Sequence, residues 1–172
     1  MKPFALRFLS ALLLVSLLLA GQGARPAYAA GYVVDSLADN NTASDGFCTL
    51  REAIESANNA GNGDCGANSA ADDAITFSVS GTITLGSSLP TIVSGQGTLT
   101  IDGGGNITVS GNNLYRVMQV NSGADLTLQN LTIANGNAGL GSGGGIVNNG
   151  TLTVTGSTFS GNSADLGGGI DN

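Results

Sequence analysis

The sequence predicts an all-β protein, a parallel β-solenoid with one amphipathic helix that caps its N-terminal end. An internal repeat and a set of phased apolar runs predict this fold. Residues 126–150 and residues 152–172 are two versions of one pattern, in which Leu126 matches Leu152 and Ile133 matches Phe159, both 26 positions apart. Short β-type runs that alternate with glycine and asparagine at a period in the twenties are typical of stacked coils.

The apolar runs fall into three series, and each series predicts one face of a roughly triangular coil. The first series contains Ile75, Leu99, Leu126 and Leu152, and the second contains Ile83, Ile107, Ile133 and Phe159. The third and looser series contains residues 91–93, residues 117–120, residues 146–147 and Ile170. We expect alternate side chains to point inward and to stack on their counterparts one coil away, at a spacing of about 4.8 Å.

The N-terminus has the features of a secretory signal peptide. Lys2 and Arg7 precede or open an apolar run, Phe8 to Ala20, and Ala27-Tyr28-Ala29 forms an A-x-A cleavage site. The run is shorter than the roughly 20 residues that a membrane-spanning helix needs. We therefore expect cleavage near Ala29 or Ala30 and a mature chain without a membrane span.

The predicted signal peptide and the start of the repeats divide the chain into three parts. We expect a signal peptide at residues 1–30, an N-terminal strand and capping-helix region at residues 31–73, and β-helix coils at residues 74–172. The last repeat stops at Asn172 without a cap, so we expect the coils to continue beyond this residue in a longer protein, or to be covered by a partner.

The charge of the mature chain limits its partners. Only Arg51 and Arg116 remain after cleavage, without lysine or histidine, against 12 acidic residues, so the net charge is −10. Such a chain cannot neutralise a phosphate backbone, which argues against nucleic acid as a partner. Anionic polysaccharides would also be repelled unless a divalent metal bridged the two surfaces.

Cys48 and Cys65 are the two cysteines of the chain. Export to an oxidising compartment favours a disulfide between them, although two buried free thiols would also fit the sequence. Two cysteines without a histidine are too few for a structural zinc site.

One short helix is predicted after a first strand at Gly31 to Asp35. Thr49 and Glu52 have the spacing of a capping box, and the apolar stripe recurs at helical spacing over Leu50 to Asn58. The stripe consists of Leu50, Ala53, Ile54 and Ala57. Because an open solenoid end exposes its core, we expect this helix to cover the first coil.

Glycine and asparagine motifs recur between the strands. GGGI is found at Gly143 to Ile146 and again at Gly167 to Ile170, where glycine permits a positive φ in a sharp turn. Asn148 and Asn172, 24 positions apart, predict an amide ladder at a corner.

Two stretches resemble known families. Residues 48–58, CTLREAIESAN, resemble the motif of the CSLREA-type N-terminal domain of bacterial surface and secreted proteins, with Thr49 in place of serine. GGGI and FSGN are similar to the GGA[ILV] and FxxN motifs of polymorphic outer-membrane protein repeats, but Gly145 and Gly169 replace alanine. The matching repeat residues are Gly143, Gly144, Gly145, Ile146, Phe159, Asn162, Gly167, Gly168, Gly169 and Ile170.

These resemblances imply a right-handed parallel β-helix of the pectate-lyase-like type that is secreted or displayed at the cell surface or outer membrane. They imply no established catalytic residue. By the same reading, Arg51 and Glu52 belong to the cap helix, where their charges complete the fold.

The residue types exclude several chemistries. Without histidine or a mature-chain lysine, the usual activated serine and cysteine nucleophiles cannot form. Lyases of this solenoid type suggest Arg116 as a base near Asp102 and Asp125, but those acids are out of phase, and we interpret Arg116 as a solvated outward residue. Asp64, Asp72 and Asp73 are candidates for calcium that we interpret as turn carboxylates. We therefore expect no catalytic, cofactor-binding or metal-binding residue.

The functional hypothesis is a non-catalytic, exported scaffold or adhesin-like module whose partner is a carbohydrate or another cell-surface protein. The alternative is a carbohydrate-binding or polysaccharide-degrading protein, a lyase or hydrolase, with its active groove outside this chain. T-x-T triplets at 82–84, 98–100 and 151–153 also suggest an ice-binding face, but we assign them to different strand series and attribute them to strand propensity.

Overall fold

The chain forms a parallel β-solenoid of about four coils with one helix, as predicted, in a computed structural model that describes residues 30–172. The predicted signal peptide lies almost wholly outside these residues. The elements are β1 (Gly31–Val34), α1 (Leu50–Ala57), β2 (Asp73–Phe77), β3 (Gly81–Thr84), β4 (Thr98–Ser110), β5 (Met118–Val120), β6 (Asp125–Ala134), β7 (Ile146–Asn148), β8 (Thr151–Thr155), β9 (Thr158–Ser160) and β10 (Ile170–Asp171).

Every strand pair is parallel, and the three apolar series form three faces. Strands β1, β2, β4, β6 and β8 build the first face, and β3 and β9 pair with the later parts of β4 and β6 on the second. Because β4 and β6 run through the corner, these two faces form one seven-stranded sheet. The third face is the sheet β10-β7-β5.

The register confirms part of the predicted repeat and corrects the rest. Leu126 pairs with Leu152 and Ile133 with Phe159, as expected. Ile75, however, pairs with Ile101 instead of Leu99. The second series is likewise displaced: Ile83 pairs with Val109, and Ile107 with Leu131. Each displacement is two residues, so the inward face is preserved and the alternation of the sequence cannot distinguish the two registers.

The corner between the first two faces uses the left-handed backbone conformation in successive coils. Gly104, Asn130 and Gly156 have φ values of 60°, 51° and 59°. Asn130 tolerates this conformation better than most side chains, and its Nδ2 donates to Asp102 Oδ1 at 3.0 Å. A Cβ on Gly156 would lie 2.6 Å from Asn130 Oδ1, so the amide in one coil requires glycine in the next.

Helix α1 contacts β1 and β2, the two strands at one end of the first face. Its apolar stripe belongs to the same buried cluster as Tyr32, Val34 and Ile75. The capping box is present, since Thr49 Oγ1 accepts from Glu52 N and Glu52 Oε2 accepts from Thr49 N. The helix ends at Ala57, one residue before the predicted end.

A disulfide joins Cys48, just before α1, to Cys65 in the segment after the helix. This confirms the predicted pairing. Both cysteines also contact the core cluster. At the far end, Asn148 Nδ2 donates to Asn172 Oδ1, which confirms the predicted amide contact.

Within residues 30–172, helical structure nowhere has the length and apolar character that crossing a membrane requires.

Tyr32 lies on the inward side of β1, fully buried, and its hydroxyl donates to Ala67 O at 3.1 Å. Burial, with a smaller contribution from the Asp73 carboxylate, raises the pKa of Tyr32 to about 12. In the unfolded chain the phenol ionises near its ordinary pKa of about 10. Because the folded chain holds the phenol proton more tightly than the unfolded chain, the free energy of unfolding is unaffected by this group below pH 10. It falls as the pH rises from 10 towards 12.

We predict that the free energy of unfolding falls by about 2 kcal/mol between pH 10 and pH 12 through this residue. Urea titrations across this range should show the fall, and it should be smaller in Tyr32→Phe. The two proteins are compared by the slope of the free energy of unfolding against pH and not by its absolute value, because the variant also loses the hydrogen bond to Ala67. An identical slope in the two proteins would contradict the assignment.

Candidate functional site

The segments that join the second face to the third differ in length and lie side by side along the solenoid. We name residues 111–117, 135–145 and 161–169 the connection row. The segments stack on each other through backbone hydrogen bonds, among them Asn137 N to Tyr115 O at 2.9 Å and Ala138 N to Ser163 O at 3.0 Å. The row therefore forms one continuous surface along the solenoid.

An open cleft of about 480 Å³ lies at one end of the connection row. It combines an aromatic ring, an apolar side chain, a cation and two amides, a set that can contact both the apolar and the polar parts of a ligand. The lining residues are Ser88, Asn113, Leu114, Tyr115, Arg116, Asn137, Ala138 and Gly139. Sequence reasoning did not identify this cleft, because its walls come from three coils.

Each segment of the connection row exposes one leucine. Leu114, Leu140 and Leu166 are 63%, 92% and 64% exposed. They are 26 positions apart, the spacing of the core repeat, so this row was detectable in the sequence. Inward leucines such as Leu126 are required by the core, whereas these three side chains contribute little to it.

Arg116 holds two segments of the row together. Its Nε donates to the carbonyl oxygens of Ser142 and Gly143 at 3.1 Å, and its Nη2 donates to Ser142 O at 2.8 Å. Arg116 lies beside the inward Val117, as expected, but it is half-buried and its guanidinium binds backbone carbonyls, so the expectation of a fully solvated side chain is corrected. Among residues 30–172, it has no carboxylate within ion-pair distance.

The acids proposed beside Arg116 are apart from it and from each other. Asp102 pairs in register with Gln129, four residues along the strand from Asp125, which corresponds to about 13 Å. This confirms the phase argument. Hydrogen bonds from Gly104 N and then from Asn130 Nδ2 lower the pKa of the exposed Asp102 carboxyl.

Each candidate calcium ligand accepts a hydrogen bond from a different backbone nitrogen. Asp64 accepts from Ser44 N at 2.6 Å, Asp72 from Thr98 N at 2.8 Å, and Asp73 from Ala30 N at 2.9 Å. Across the described range, 30 to 172, acidic, histidine and cysteine side chains do not gather in groups of three or more that would hold a metal ion.

The repeat motifs are built into the contacts between coils. Gly145 N and Ile146 N donate to the carbonyls of Gly168 and Gly169, both at 3.0 Å. A Cβ on Gly145 would lie 2.4 Å from Gly169 O, which explains glycine at a position where the resembled family has alanine.

Asn162 performs a similar task at the next corner. Its Oδ1 accepts from Gly136 N at 2.7 Å and its Nδ2 donates to Ile133 O at 2.9 Å. Phe159 and Ile170, in the last described coil, pack against the core cluster. These motif residues therefore position the coils, and the cleft lies beside them.

The assignment of the T-x-T triplets to different series is wrong for two of them. The triplets at 98–100 and 151–153 both lie on the first face, where Thr100, Thr127 and Thr153 are register partners. On the second face a longer ladder joins Thr82, Thr108, Thr132 and Thr158. Its neighbouring row contains Ala134, so the T-x-T pattern of that face is interrupted.

The second arginine forms the ion pair that the sequence did not reveal. Arg51 Nε and Nη2 donate to the two oxygens of Asp39 at 3.0 and 2.9 Å, and its other donors reach Ser88 O and Ser87 O at 2.9 Å. Asp39 also accepts from Gly86 N at 2.8 Å. Arg51 thus ties α1 to the loop after β3, while the neighbouring Glu52 is buried in the capping box and accepts from Asn62.

Comparison of the chain with protein-family models, with curated proteins and with solved structures gives no match.

The Arg51–Asp39 contact predicts a specific stability cost. The side chains are 12% and 5% exposed, and breaking such a pair leaves the other charge without its partner. We expect Arg51→Met to lower the free energy of unfolding by about 3 kcal/mol, measured by urea denaturation. Asp39→Asn in the same background should add much less than it costs alone. Additive costs would contradict direct coupling.

Proposed function

We propose that this chain is a non-catalytic, exported scaffold or adhesin-like module that binds its partner through the connection row. The observation that carries the proposal is the set of three exposed leucines, one in each segment of the connection row. Leu166 pairs in register with Ser142 and not with Leu140, so the three leucines are spread over the connection row and make an extended contact surface. Exposed apolar side chains that share one surface of a protein are typical of an interaction site.

Export is supported by three features. The sequence begins with a basic, then an apolar, then an A-x-A segment. The disulfide between Cys48 and Cys65 fits an oxidising compartment. The resemblance to the CSLREA-type domain and to outer-membrane protein repeats agrees with both. Display at the cell surface or outer membrane, and the right-handed sense of the coils, belong to this proposal.

The cleft favours a carbohydrate as the second candidate partner. Tyr115 and Leu114 offer apolar surface for a sugar face, and Asn113, Asn137 and Arg116 offer hydrogen-bonding groups. The net charge of −10 that we expect after cleavage disfavours anionic polymers, so neutral glycans fit this surface better.

The leucine row gives the sharpest test. We predict that replacing Leu114, Leu140 and Leu166 together by serine weakens binding of the purified chain to intact cells by at least about tenfold. The melting temperature should stay close to that of the unchanged protein, because exposed side chains contribute little to stability. Val33→Thr with Val154→Thr is the matched control, since both valines are exposed but lie on strands away from the row. Equal binding by the three proteins would refute the proposed surface.

The carbohydrate candidate predicts a different response. If the cleft binds neutral glycans, Tyr115→Ala should reduce binding on an immobilised glycan panel about tenfold, which corresponds to one lost aromatic contact. Leu140→Ser, which is outside the cleft lining, should leave glycan binding unchanged. Periodate treatment of the cells should abolish binding in this case, whereas protease treatment should abolish it if the partner is a protein. Glycan binding that survives Tyr115→Ala would exclude the cleft.

A further inference from the structure

Asp73 occupies a core position that the repeat otherwise fills with an apolar side chain. It is the first residue of β2, and its register partner in the next coil is Leu99. The residue is 4% exposed. One carboxylate oxygen, Oδ1, accepts from the nitrogen of Ala30 at 2.9 Å. The other, Oδ2, is buried and has no hydrogen-bond partner among residues 30–172.

A buried carboxylate with an unpaired oxygen is costly unless a cation lies beside it. The described residues do not supply that cation from a side chain: Arg51 is paired with Asp39, Arg116 binds carbonyls of the connection row, and residues 30–172 contain no lysine or histidine. Tyr32, which is near enough to feel the charge of Asp73, donates its hydroxyl proton to Ala67 O instead.

The nitrogen of Ala30 would become the missing cation if the chain began at this residue. As a peptide nitrogen it carries one hydrogen and no charge. As an α-ammonium group it carries three hydrogens and a positive charge at neutral pH. Ala30 is also held in place, because its carbonyl oxygen accepts from Ala74 N at 3.0 Å.

The sequence places a cleavage site at this point. Ala27-Tyr28-Ala29 permits removal of the leader after Ala29, and cleavage after Ala30 is the neighbouring alternative. We propose that the mature chain begins at Ala30 and that its α-ammonium group forms a buried ion pair with Asp73, which completes the first coil. This proposal rests on the export proposed above.

The processing step is a hydrolysis. A signal peptidase adds water across the Ala29–Ala30 peptide bond, the leader leaves with a carboxylate on Ala29, and the released amine of Ala30 takes up a proton. The precursor keeps an unsatisfied carboxylate at the start of its core, whereas the processed chain pairs it. Folding is therefore most favourable after removal of the leader, which suits a chain that crosses a membrane unfolded.

The first experiment identifies the mature N-terminus. The full chain is expressed with its own leader in an exporting bacterium, and the secreted protein is analysed by intact mass and N-terminal sequencing. Ala30 is the expected first residue. A mature chain that starts at Gly31 would overturn the proposal, because it lacks the nitrogen that Asp73 contacts.

The second experiment tests the ion pair without depending on export. A cleavable N-terminal fusion that leaves Ala30 first provides residues 30–172, which contain the whole described core. Because this chain has no lysine, its α-amine is its only primary amine, and an amine-acylating reagent reports on that group alone. At neutral pH we expect acylation about tenfold slower than in Asp73→Asn, since ion pairing by one pKa unit reduces the free amine tenfold.

Asp72→Asn is the matched control. It removes the same charge from the adjacent residue, whose carboxylate binds Thr98 N instead of Ala30, and it should acylate as slowly as the unchanged chain. If Asp73→Asn does not fold, the unchanged chain in urea provides the fast reference. Acylation as fast in the folded chain as in either reference would overturn the ion pair.

The outcomes separate this inference from the proposed function. Correct cleavage at Ala30 with fast acylation refutes the ion pair and leaves export intact. A chain that retains Met1 in the exporting host refutes export and, with it, processing at Ala30.

Discussion

Coil-on-coil stacking is the constraint on which the rest of this structure depends. Each parallel strand must place its inward side chains at the same height as those of its neighbours, because the backbone hydrogen bonds and the buried columns share one register. The column Leu99, Leu126 and Leu152 shows the result. Corners obey the same rule, so a left-handed asparagine in one coil stands over a left-handed glycine in the next.

Stacking buries the inward side chains of the inner coils. The first coil has a neighbouring coil on one side only, so other contacts cover this end of the solenoid. Helix α1 supplies apolar side chains to the core, and several charged groups are buried around it. Glu52 accepts a hydrogen bond from Thr49 N in the capping box, and Asp39 forms an ion pair with Arg51. Buried charges of this kind stabilise a fold only when each has its partner, which is why Asp73, with one unpaired oxygen, is informative.

The segments of the connection row stack through isolated bridges and single hydrogen bonds and not through continuous strands, so their lengths can differ. Its three segments differ in length, although the strands they join are in register. Glycines hold the inner side of the row, where backbones of successive coils approach too closely for a Cβ. The outer side carries exposed leucines and the cleft. A rigid wall with variable connections on one edge is a physical arrangement in which binding specificity can change without loss of the core.

The sequence alone determined the local and periodic features. The capping box, the apolar stripe of α1, the cysteine pair, the 26-residue columns and the amide contact of Asn148 were all predictable, because each depends on residue type at a short or repeated spacing. The tertiary structure decided the two-residue register of Ile75, since alternation has a period of two and both registers bury the same face. It also decided the Arg51–Asp39 pair, the burial of Asp73 and the cleft beside Tyr115. The ion pair and the cleft depend on how loops from different coils meet, and loop spacing in the sequence carries no signal for such contacts.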